Sequence, residues 1–386
     1  MTDLSTIRAF LDANHHEFAA QLDGYCTQEL HPLPEPADDD QGRVQAREVL
    51  DWMGQAGWLQ TIVDGDLRQL CLLRQRVAAD SPLADAVVAL QGLAITPILL
   101  AGNEEMISAW VEPAVRGAAM GAFAMSEPEA GSDVAAIGTT AVRDGDEYVI
   151  TGNKTFISNA GIADFYVVFA STDRDAGSRG LSVFVVAAAT PGLEFVGPQV
   201  MSAPHPLGDV ALHDCRVPAA CRLGDEGGGI KLGLRTLDRL RASVGAAACG
   251  MATRALDEAI AHVRVRKQFG QPLAEFQLVQ DKLARMYVEL SAAQLLVYRA
   301  AWEKDQGAER ITLEAAAAKA GATEAAQRVI DGAVQLLGGR GVLATSIVDR
   351  MYRSIRALRI YEGTTEIQHL TIARLLLAAA AKEADE

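Results

Sequence analysis

The sequence changes from a helical to a strand pattern within residues 147–169, which read EYVITGNKTFISNAGIADFYVVF. Both ends of this stretch are rich in β-branched and aromatic residues, as strands are. Two similar runs follow, LSVFVV (181–186) and LEFV (193–196), and turn sequences containing Gly, Pro, Asn or Asp separate them. Most of the strand-forming sequence therefore lies between about residues 120 and 217.

The regions on both sides of the strands carry a helical pattern. Near the N-terminus, Leu4, Ile7 and Leu11 follow the spacing that one buried helix face requires. Later in the chain, alanine-rich helical patterns cover 230–267, 276–305 and 313–337. The order helix, strand, helix, without alternating βα units, predicts an α+β chain of three domains. These are an N-terminal all-α domain over 1–118, a middle β domain over 119–225 and a C-terminal α-helical bundle over 226–386.

The composition excludes several classes of protein. The 386 residues include 35 Lys or Arg and 50 Asp or Glu, a formal net charge of −15 at pH 7. So acidic a chain is unsuited to nonspecific nucleic-acid binding, and it has no polybasic segment for an anionic membrane. The N-terminus, MTDLSTIRAF, lacks a leader pattern, and no apolar run is long enough to span a bilayer. Five scattered cysteines, and histidines without ligand spacing, predict no disulfide framework and no metal site. We therefore expect a cytoplasmic protein without membrane insertion or a nucleic-acid partner.

Several motifs carry chemistry, although each also has a simpler interpretation. Ser126 and Ser132 lie in SEPEAGSD (126–133), which a plain turn explains equally well. Phe156 and Ser158 are two residues apart on a strand, so their side chains share a face that could hold a heteroaromatic ring. A hairpin with one core aromatic is the simpler interpretation. Arg266 ends a helix, where an arginine either stabilises the helix dipole or clamps a phosphate.

Glu362 is the candidate for a general base. It lies between an aromatic residue, Tyr361, and a glycine, Gly363, where a carboxylate can lose solvent and become more basic. In isolation, a solvated acid at the start of a helix beside Thr364 is the simpler interpretation.

In their order and spacing, these motifs together resemble the acyl-CoA dehydrogenase family over essentially the whole chain. The matching segments are SEPEAGSD (126–133), GNKTFISN (152–159), RKQFGQPL (266–273) with Phe276-Gln277, Gln335 with Gly338-Gly339, and YEGT (361–364). The resemblance implies an N-terminal helical domain, a middle β-barrel and a C-terminal four-helix bundle, assembled as a homotetramer (a dimer of dimers). It also implies FAD as cofactor, an acyl-CoA substrate and an electron-transferring flavoprotein as electron acceptor.

By the same resemblance, Glu362 removes the α-proton of an acyl-CoA thioester while the β-hydrogen leaves as hydride to flavin N5, and the trans-2-enoyl-CoA forms. The implied cofactor-binding residues are Ser126, Ser132, Phe156, Ser158, Arg266, Gln268, Phe269, Gln335, Gly339, Thr364 and Glu366. Those that would reach the FAD of a neighbouring subunit are Arg266, Gln268, Phe269, Gln335 and Gly339. The implied substrate-binding residues are Ser132, Asp85, Asp238, Arg239, Tyr361 and Gly363.

Departures from the family pattern concern mainly the substrate. Residues 58–73 lack the common Pro-x-x-x-Gly-Gly stretch, so we expect a rebuilt wall of the acyl pocket. MSAPHPL (201–207) replaces a common Met-Gly-x-Arg-x-Ser stretch. Asp85 falls roughly where glutaryl-CoA-specific relatives carry an arginine, which predicts that a dicarboxylyl-CoA is disfavoured. Asp238 lies where some branched-chain relatives place their base, so it is the alternative to Glu362.

Three alternative functions stay open on this fold. Flavin oxidases, such as nitroalkane oxidase, and flavin N-hydroxylases share it, but their pockets often lack the glutamate found here at position 362. A nucleic-acid-associated member would need the basic surface that this chain lacks. A catalytically silent FAD-binding scaffold would show a flavin spectrum that no acyl-CoA bleaches.

Overall fold

The computed structural model describes the backbone of residues 4–385 and the side chains of residues 4–381. The helices, in chain order, are α1 (Ala13–Tyr25), α2 (Asp39–Gln55), α3 (Thr61–Asp64), α4 (Leu67–Asp80), α5 (Pro82–Ala101), α6 (Glu104–Met106), α7 (Glu112–Val115), α8 (Gly229–Val265), α9 (Gln277–Asp305), α10 (Thr312–Leu337), α11 (Ile347–Leu358) and α12 (Thr365–Asp385). The strands are β1 (Gly121–Ala124), β2 (Thr140–Asp144), β3 (Glu147–Ser158), β4 (Phe165–Ser171), β5 (Leu181–Ala187), β6 (Leu193–Pro198), β7 (Leu207–Pro218), β8 (Arg222–Leu223), β9 (Lys267–Gln268) and β10 (Gln271–Pro272). The expected α+β order of helices, strands and helices is confirmed.

The chain divides into two compact units that do not follow sequence order. One, the helical unit, contains the residues up to Glu35, Asp66–Asp85 and the chain from Arg241 onward. The other, the sheet unit, contains Pro36–Gly65 and Ala86–Leu240. Two of the four divisions, after Asp85 and after Leu240, fall inside α5 and α8, and the three domain boundaries expected from the sequence stay a prediction.

Carboxylates fix the start of α4 in the helical unit. Asp66 is the N-cap and accepts a hydrogen bond from the Gln69 amide (2.9 Å). The carboxylate of Asp305, the last residue of α9, accepts from the backbone amides of Leu67 and Arg68. It also accepts from the Arg68 side chain at 2.8 Å. Because a helix N-terminus carries unsatisfied N–H groups and a partial positive charge, these two acids stabilise it.

Small residues allow the long helices of the helical unit to pack closely. A Cβ added at Gly245 of α8 would lie 2.8 Å from Val297 of α9 and 3.1 Å from the Ala318 carbonyl of α10. No larger side chain fits there, so the glycine sets the distance between these helices. The helices α11 and α12 also pack against α10. This packing accounts for the alanine-rich composition of the C-terminal region.

The sheet unit contains an eight-stranded sheet in the order β6-β7-β3-β2-β4-β5-β8, with β1 beside β4. Strand β4 is buried along its whole length, Phe165–Ser171. Strand β3 pairs with β7 in antiparallel fashion, and the register of that ladder shifts between Lys154 and Ile157. Such an irregularity bends a strand and redirects its side chains. It falls within the GNKTFISN motif.

Of the described helices, α5 alone is long and apolar enough by length and composition to cross a membrane. However, 78% of its apolar window is buried inside the protein, as in a core helix. Gln91 on α5 is 1% exposed, and its Nε2 donates to the carbonyls of Ala114 (3.1 Å) and Ala119 (2.8 Å). Its Oε1 accepts from the Gly121 amide at 2.7 Å. Gln91 therefore ties the start of β1 to α5 with its polar atoms satisfied.

Candidate functional site

Glu362 lies in the short connection between α11 and α12, in a backbone conformation that is unusual for glutamate. Its φ is +55°, and Gly363 follows with a φ of +91°. Positive φ is costly for a residue with a Cβ. Two side chains hold the Gly363 carbonyl, because Lys319 Nζ donates to it at 2.7 Å and Gln368 Nε2 at 3.0 Å. The Glu362 carbonyl accepts from Gln368 Nε2 (3.2 Å) and Arg241 Nε (3.3 Å), so the turn is fixed.

The Glu362 carboxyl has the properties of a general base. Its Oε2 atom is inaccessible to solvent and has no hydrogen-bond partner among the described residues. Burial raises the pKa of this carboxyl; three cations, Arg74, Arg241 and Lys319, oppose the rise, and Asp85 adds to it. Burial also lowers the pKa of Lys319 to about 8, although the Glu362 charge acts in the opposite direction. A carboxylate with a raised pKa and an unengaged oxygen is suited to proton abstraction.

Asp85 forms a buried ion pair with Arg74 in the helical unit. Arg74 Nε and Nη2 each donate to one Asp85 oxygen at 2.9 Å, and both side chains are 2% exposed. Arg74 also donates to Ser243 Oγ (2.9 Å) and interacts with the Tyr361 hydroxyl, whose pKa burial raises. Asp85 is therefore not the isolated negative charge that the sequence suggested. Arg74 was missed because it lies on α4 and Asp85 on α5, so no helical spacing relates them.

Arg239 and Arg241, which lie on α8 before and after the division between the units, have different neighbours. Asp238 and Arg239 are half-buried in the sheet unit, and Arg239 lies beside Gly65, where an added Cβ would be 3.2 Å from its Nη2. Arg241 belongs to the helical unit and contacts the Glu362 carbonyl. The motif pattern predicted Arg239 but not Arg241. Side chains two positions apart on a helix point to different faces, so the prediction for one does not extend to the other. Substrate roles for Asp238 and Arg239 stay predictions.

A buried ion pair anchors the SEPEAGSD loop in the sheet unit. Lys154 is 1% exposed, and its Nζ donates to Glu127 (2.7 Å) and to the carbonyls of Met125 (3.2 Å) and Phe169 (2.6 Å). Burial lowers the pKa of Lys154 to about 8, and the Glu127 charge opposes this. Burial alone would raise the pKa of Glu127, but Lys154 and local hydrogen bonds hold it below its ordinary value. The pair thus fixes the loop that carries Ser126.

Phe156 lies within the register irregularity of β3, and Ser158 ends the strand just beyond it. Phe156 has a φ of +54° and is 63% exposed, whereas Ile157 between them is 1% exposed. Phe156 therefore lies outside the core, whereas Ser158 is half-buried, and a shared face for the two side chains stays a prediction. Ser158 Oγ forms a hydrogen bond with His205 Nε2 (2.8 Å), a partner that the sequence analysis did not identify. Ser132, in the preceding loop, is exposed.

The residues predicted to reach a neighbouring subunit lie on the surface of the helical unit. Exposed are Arg266, Gln268, Phe269, Gln335 and Gly339. Phe269 is 94% exposed and has a φ of +51°. Burial, and then the positive charges of Arg340 and Arg266, lower the pKa of His262. A guanidinium group suits a phosphate, and Arg266 and Arg340 are both exposed.

Thr364 and Glu366 have local partners at the start of α12. Thr364 Oγ1 accepts from the Ile367 amide at 3.3 Å, as a capping residue does. A hydrogen bond from its own backbone amide, and then one from Thr364, lower the pKa of exposed Glu366. These contacts explain both residues structurally, and their cofactor roles stay predictions.

The sheet unit carries side chains that fit a flavin ring. The exposed Phe156 ring beside the Ser158 hydroxyl offers an apolar face and a polar edge to a planar heteroaromatic ring. In the helical unit, the exposed side chain of Arg266 carries a positive charge that suits a phosphate, and its contact with the FAD of a neighbouring subunit stays a prediction. Among the described residues, no group of three or more His, Cys, Asp or Glu side chains could hold a metal ion.

Comparison with known proteins identifies the family. The models of the acyl-CoA dehydrogenase N-terminal, middle and C-terminal domains match residues 12–118, 122–215 and 227–377. The mitochondrial short-chain specific acyl-CoA dehydrogenase of Homo sapiens is 37% identical over 97% of this chain and 89% of its own. The CarC subunit of the caffeyl-CoA reductase–Etf complex of Acetobacterium woodii is 37% identical over 86% of this chain and 90% of its own.

A solved structure shows the same architecture. The butyryl-CoA dehydrogenase of Megasphaera elsdenii superimposes with a TM-score of 0.88 and 32% identity, over 95% of this chain and 99% of that one. The motifs lie inside the segments that the middle-domain and C-terminal-domain models match. The chain therefore belongs to the acyl-CoA dehydrogenase family and is an FAD-dependent oxidoreductase that dehydrogenates acyl-CoA thioesters.

Proposed function

We propose that Glu362 is the base that removes the α-proton of the acyl-CoA thioester. The observation that carries the proposal is its Oε2 atom, which is buried and unpartnered in a turn that Lys319 and Gln368 hold. An α-proton is a weak acid, so the base must be strong and the enolate stabilised as it forms. Burial strengthens the base by raising the pKa of Glu362. Bound FAD would supply the hydride acceptor, flavin N5, for the β-hydrogen, and the product would be the trans-2-enoyl-CoA.

The charged residues around Glu362 determine how readily its carboxyl ionises. The carboxyl must be ionised to accept a proton, and burial alone would keep it neutral. The positive charges of Arg74, Arg241 and Lys319 lower the pKa of Glu362 and so offset part of the effect of burial. The negative charge of Asp85 raises that pKa and limits how far the cations lower it. In the sheet unit, we assign Ser126, Phe156 and Ser158 to the flavin ring.

Glu362→Gln tests the assignment because it keeps the size of the side chain and removes the base. We expect anaerobic bleaching of the flavin by acyl-CoA to slow by about 10²–10⁴-fold. The FAD content, measured by absorbance, should not change. Asp238→Asn is the matched control, since Asp238 is the alternative base. An E362Q enzyme that keeps most of its activity beside an inactive D238N enzyme would transfer the role to Asp238.

We propose a neutral acyl group as substrate rather than a dicarboxylyl group. The Arg74 guanidinium faces both oxygens of Asp85, so its planar fork is occupied and cannot pair with a carboxylate of the substrate. Anaerobic bleaching with straight-chain, branched, cyclic and glutaryl thioesters tests this point. Preference for glutaryl-CoA would contradict it.

We propose an electron-transferring flavoprotein as the electron acceptor. The support is the name of the CarC relative, which belongs to a complex with Etf. Turnover with such a flavoprotein under anaerobic conditions tests the proposal. Rapid oxygen consumption without any acceptor would instead favour an oxidase.

We propose a homotetramer in the cytoplasm. Helix α9 presents apolar side chains to solvent, with Leu278 85%, Tyr287 58% and Val288 64% exposed. Exposed apolar residues on one helix are typical of a surface that another chain covers. All five cysteines are unpaired, which suits a reducing compartment. Cell fractionation tests the location.

A further inference from the structure

His205 and Ser158 form a hydrogen-bonded pair in the sheet unit. Ser158 is the last residue of β3, and His205 lies in the segment between β6 and β7. The distance from Ser158 Oγ to His205 Nε2 is 2.8 Å, that of a good hydrogen bond. His205 falls within MSAPHPL (201–207), where the chain departs from the pattern of its family.

Hydrogen bonds hold the backbone that follows His205. The carbonyl of the next residue, Pro206, accepts from the Asn159 amide at 2.6 Å. Leu207 pairs with Ser158 in the β3–β7 ladder, and its carbonyl accepts from Arg43 Nη2 at 2.7 Å. The imidazole thus has little freedom to leave Ser158, so the contact can set the orientation of the hydroxyl.

The His205 ring is neutral at physiological pH. Burial, with a smaller contribution from the Arg43 charge, lowers its pKa to about 4, while the Asp39 charge acts in the opposite direction. A neutral imidazole carries one N–H and one acceptor nitrogen. When Nε2 carries the hydrogen, it donates to Ser158 Oγ, and the hydroxyl hydrogen remains available to another acceptor.

We propose that His205 is a positioning residue that donates from Nε2 to Ser158 and keeps the Ser158 hydroxyl directed at the flavin ring. The inference rests on the proposed assignment of Ser158 to the flavin. A hydroxyl that donates to the ring stabilises the negative charge that the ring gains on reduction. His205 thereby raises the reduction potential of the bound flavin without touching it.

The test measures the flavin midpoint potential and visible spectrum of the holoenzyme in variants at both positions. We expect His205→Leu and Ser158→Ala each to make the potential more negative and to slow flavin reduction by about two- to tenfold, the effect of one hydrogen bond. The double variant should shift no further than S158A alone. His205→Gln, which keeps an Nε2–H donor, should restore most of the wild-type potential. His213→Leu is the matched control, because His213 is exposed on β7 beside Glu194.

Each remaining outcome overturns the inference. If H205L has the wild-type potential and spectrum while S158A is shifted, Ser158 acts without His205. If the H205L and S158A shifts add in the double variant, the two residues act independently. If S158A itself leaves the flavin unchanged, the assignment of Ser158 fails, and the E362Q result still reports separately on the base. Thermal unfolding of each holoenzyme distinguishes a local effect from loss of folding.

Discussion

At the scale of single residues, the site depends on backbone conformations that the sequence does not show. Phe156, Phe269 and Glu362 all have positive φ, which is rare outside glycine and concentrated at functional sites. The motifs predicted these residues by type and position. They could not predict the conformation, because at Glu362 it is held by Lys319 and Arg241, which lie far away in sequence.

The charges near Glu362 predict opposite pH responses for two variants. The Lys319 charge lowers the pKa of Glu362, so Lys319→Met should raise it, and activity should fail at a higher pH as the solution is acidified. The Asp85 charge raises the pKa of Glu362, so Asp85→Asn should move the same acidic limb to lower pH. The measurement is the pH profile of kcat/KM for both variants.

Lys231→Met is the control for that comparison, because Lys231 is exposed on α8 in the sheet unit. Its profile should match the wild type. Shifts of K319M and D85N in the same direction would show that altered packing, rather than charge, governs the base.

At the scale of elements, the strand and loop around residues 125–158 were predicted from pattern, but the ion pair that joins them was not. Glu127 and Lys154 belong to separate motifs, and each has a plausible solvated role when considered alone. In the fold, Lys154 also donates to the Phe169 carbonyl of β4. Pairing of buried charges depends on sheet order, which sequence periodicity does not determine.

Removing one partner of this pair should be costly. Lys154→Met leaves a buried Glu127 carboxylate without its cation, and we expect the free energy of unfolding to fall by about 3 kcal/mol or more. The double variant K154M/E127Q should recover part of that loss, since no unpaired charge remains. Denaturant unfolding measures both. A loss under 1 kcal/mol in K154M would show that the carboxylate relaxes into solvent.

At the scale of the whole molecule, the order of helical and sheet regions was predictable from the change in hydrophobic period. The division into compact units was not, because the helical unit combines chain segments from both ends with Asp66–Asp85. The divisions inside α5 and α8 leave no glycine- or proline-rich linker for sequence analysis to detect. The candidate site residues were predicted from the family resemblance, because hydrophobic periodicity alone does not indicate them.

The proposed assembly predicts the effect of charge on α9. Leu278→Glu and Val288→Glu place carboxylates on exposed positions, so the monomer should fold normally. In a tetramer that buries α9, they should reduce the mass measured by light scattering to that of a dimer or monomer. Asp281→Glu on the same helix is the charge-preserving control. An unchanged mass would remove α9 from the interface.

The left-handed backbone at Glu362 lowers the stability of the fold at the residue that we propose as the base. Glycine adopts φ of +55° without penalty, whereas any other residue there costs about 1 kcal/mol. Glu362→Gly should therefore unfold with a free energy about 1 kcal/mol above that of E362Q, which lacks the base but keeps the Cβ. Chemical denaturation of the two inactive variants measures the difference, and equal stabilities would contradict it. Selection of this enzyme for thermostability alone would thus favour loss of the proposed base, and screening for heat resistance here needs an activity assay in every round.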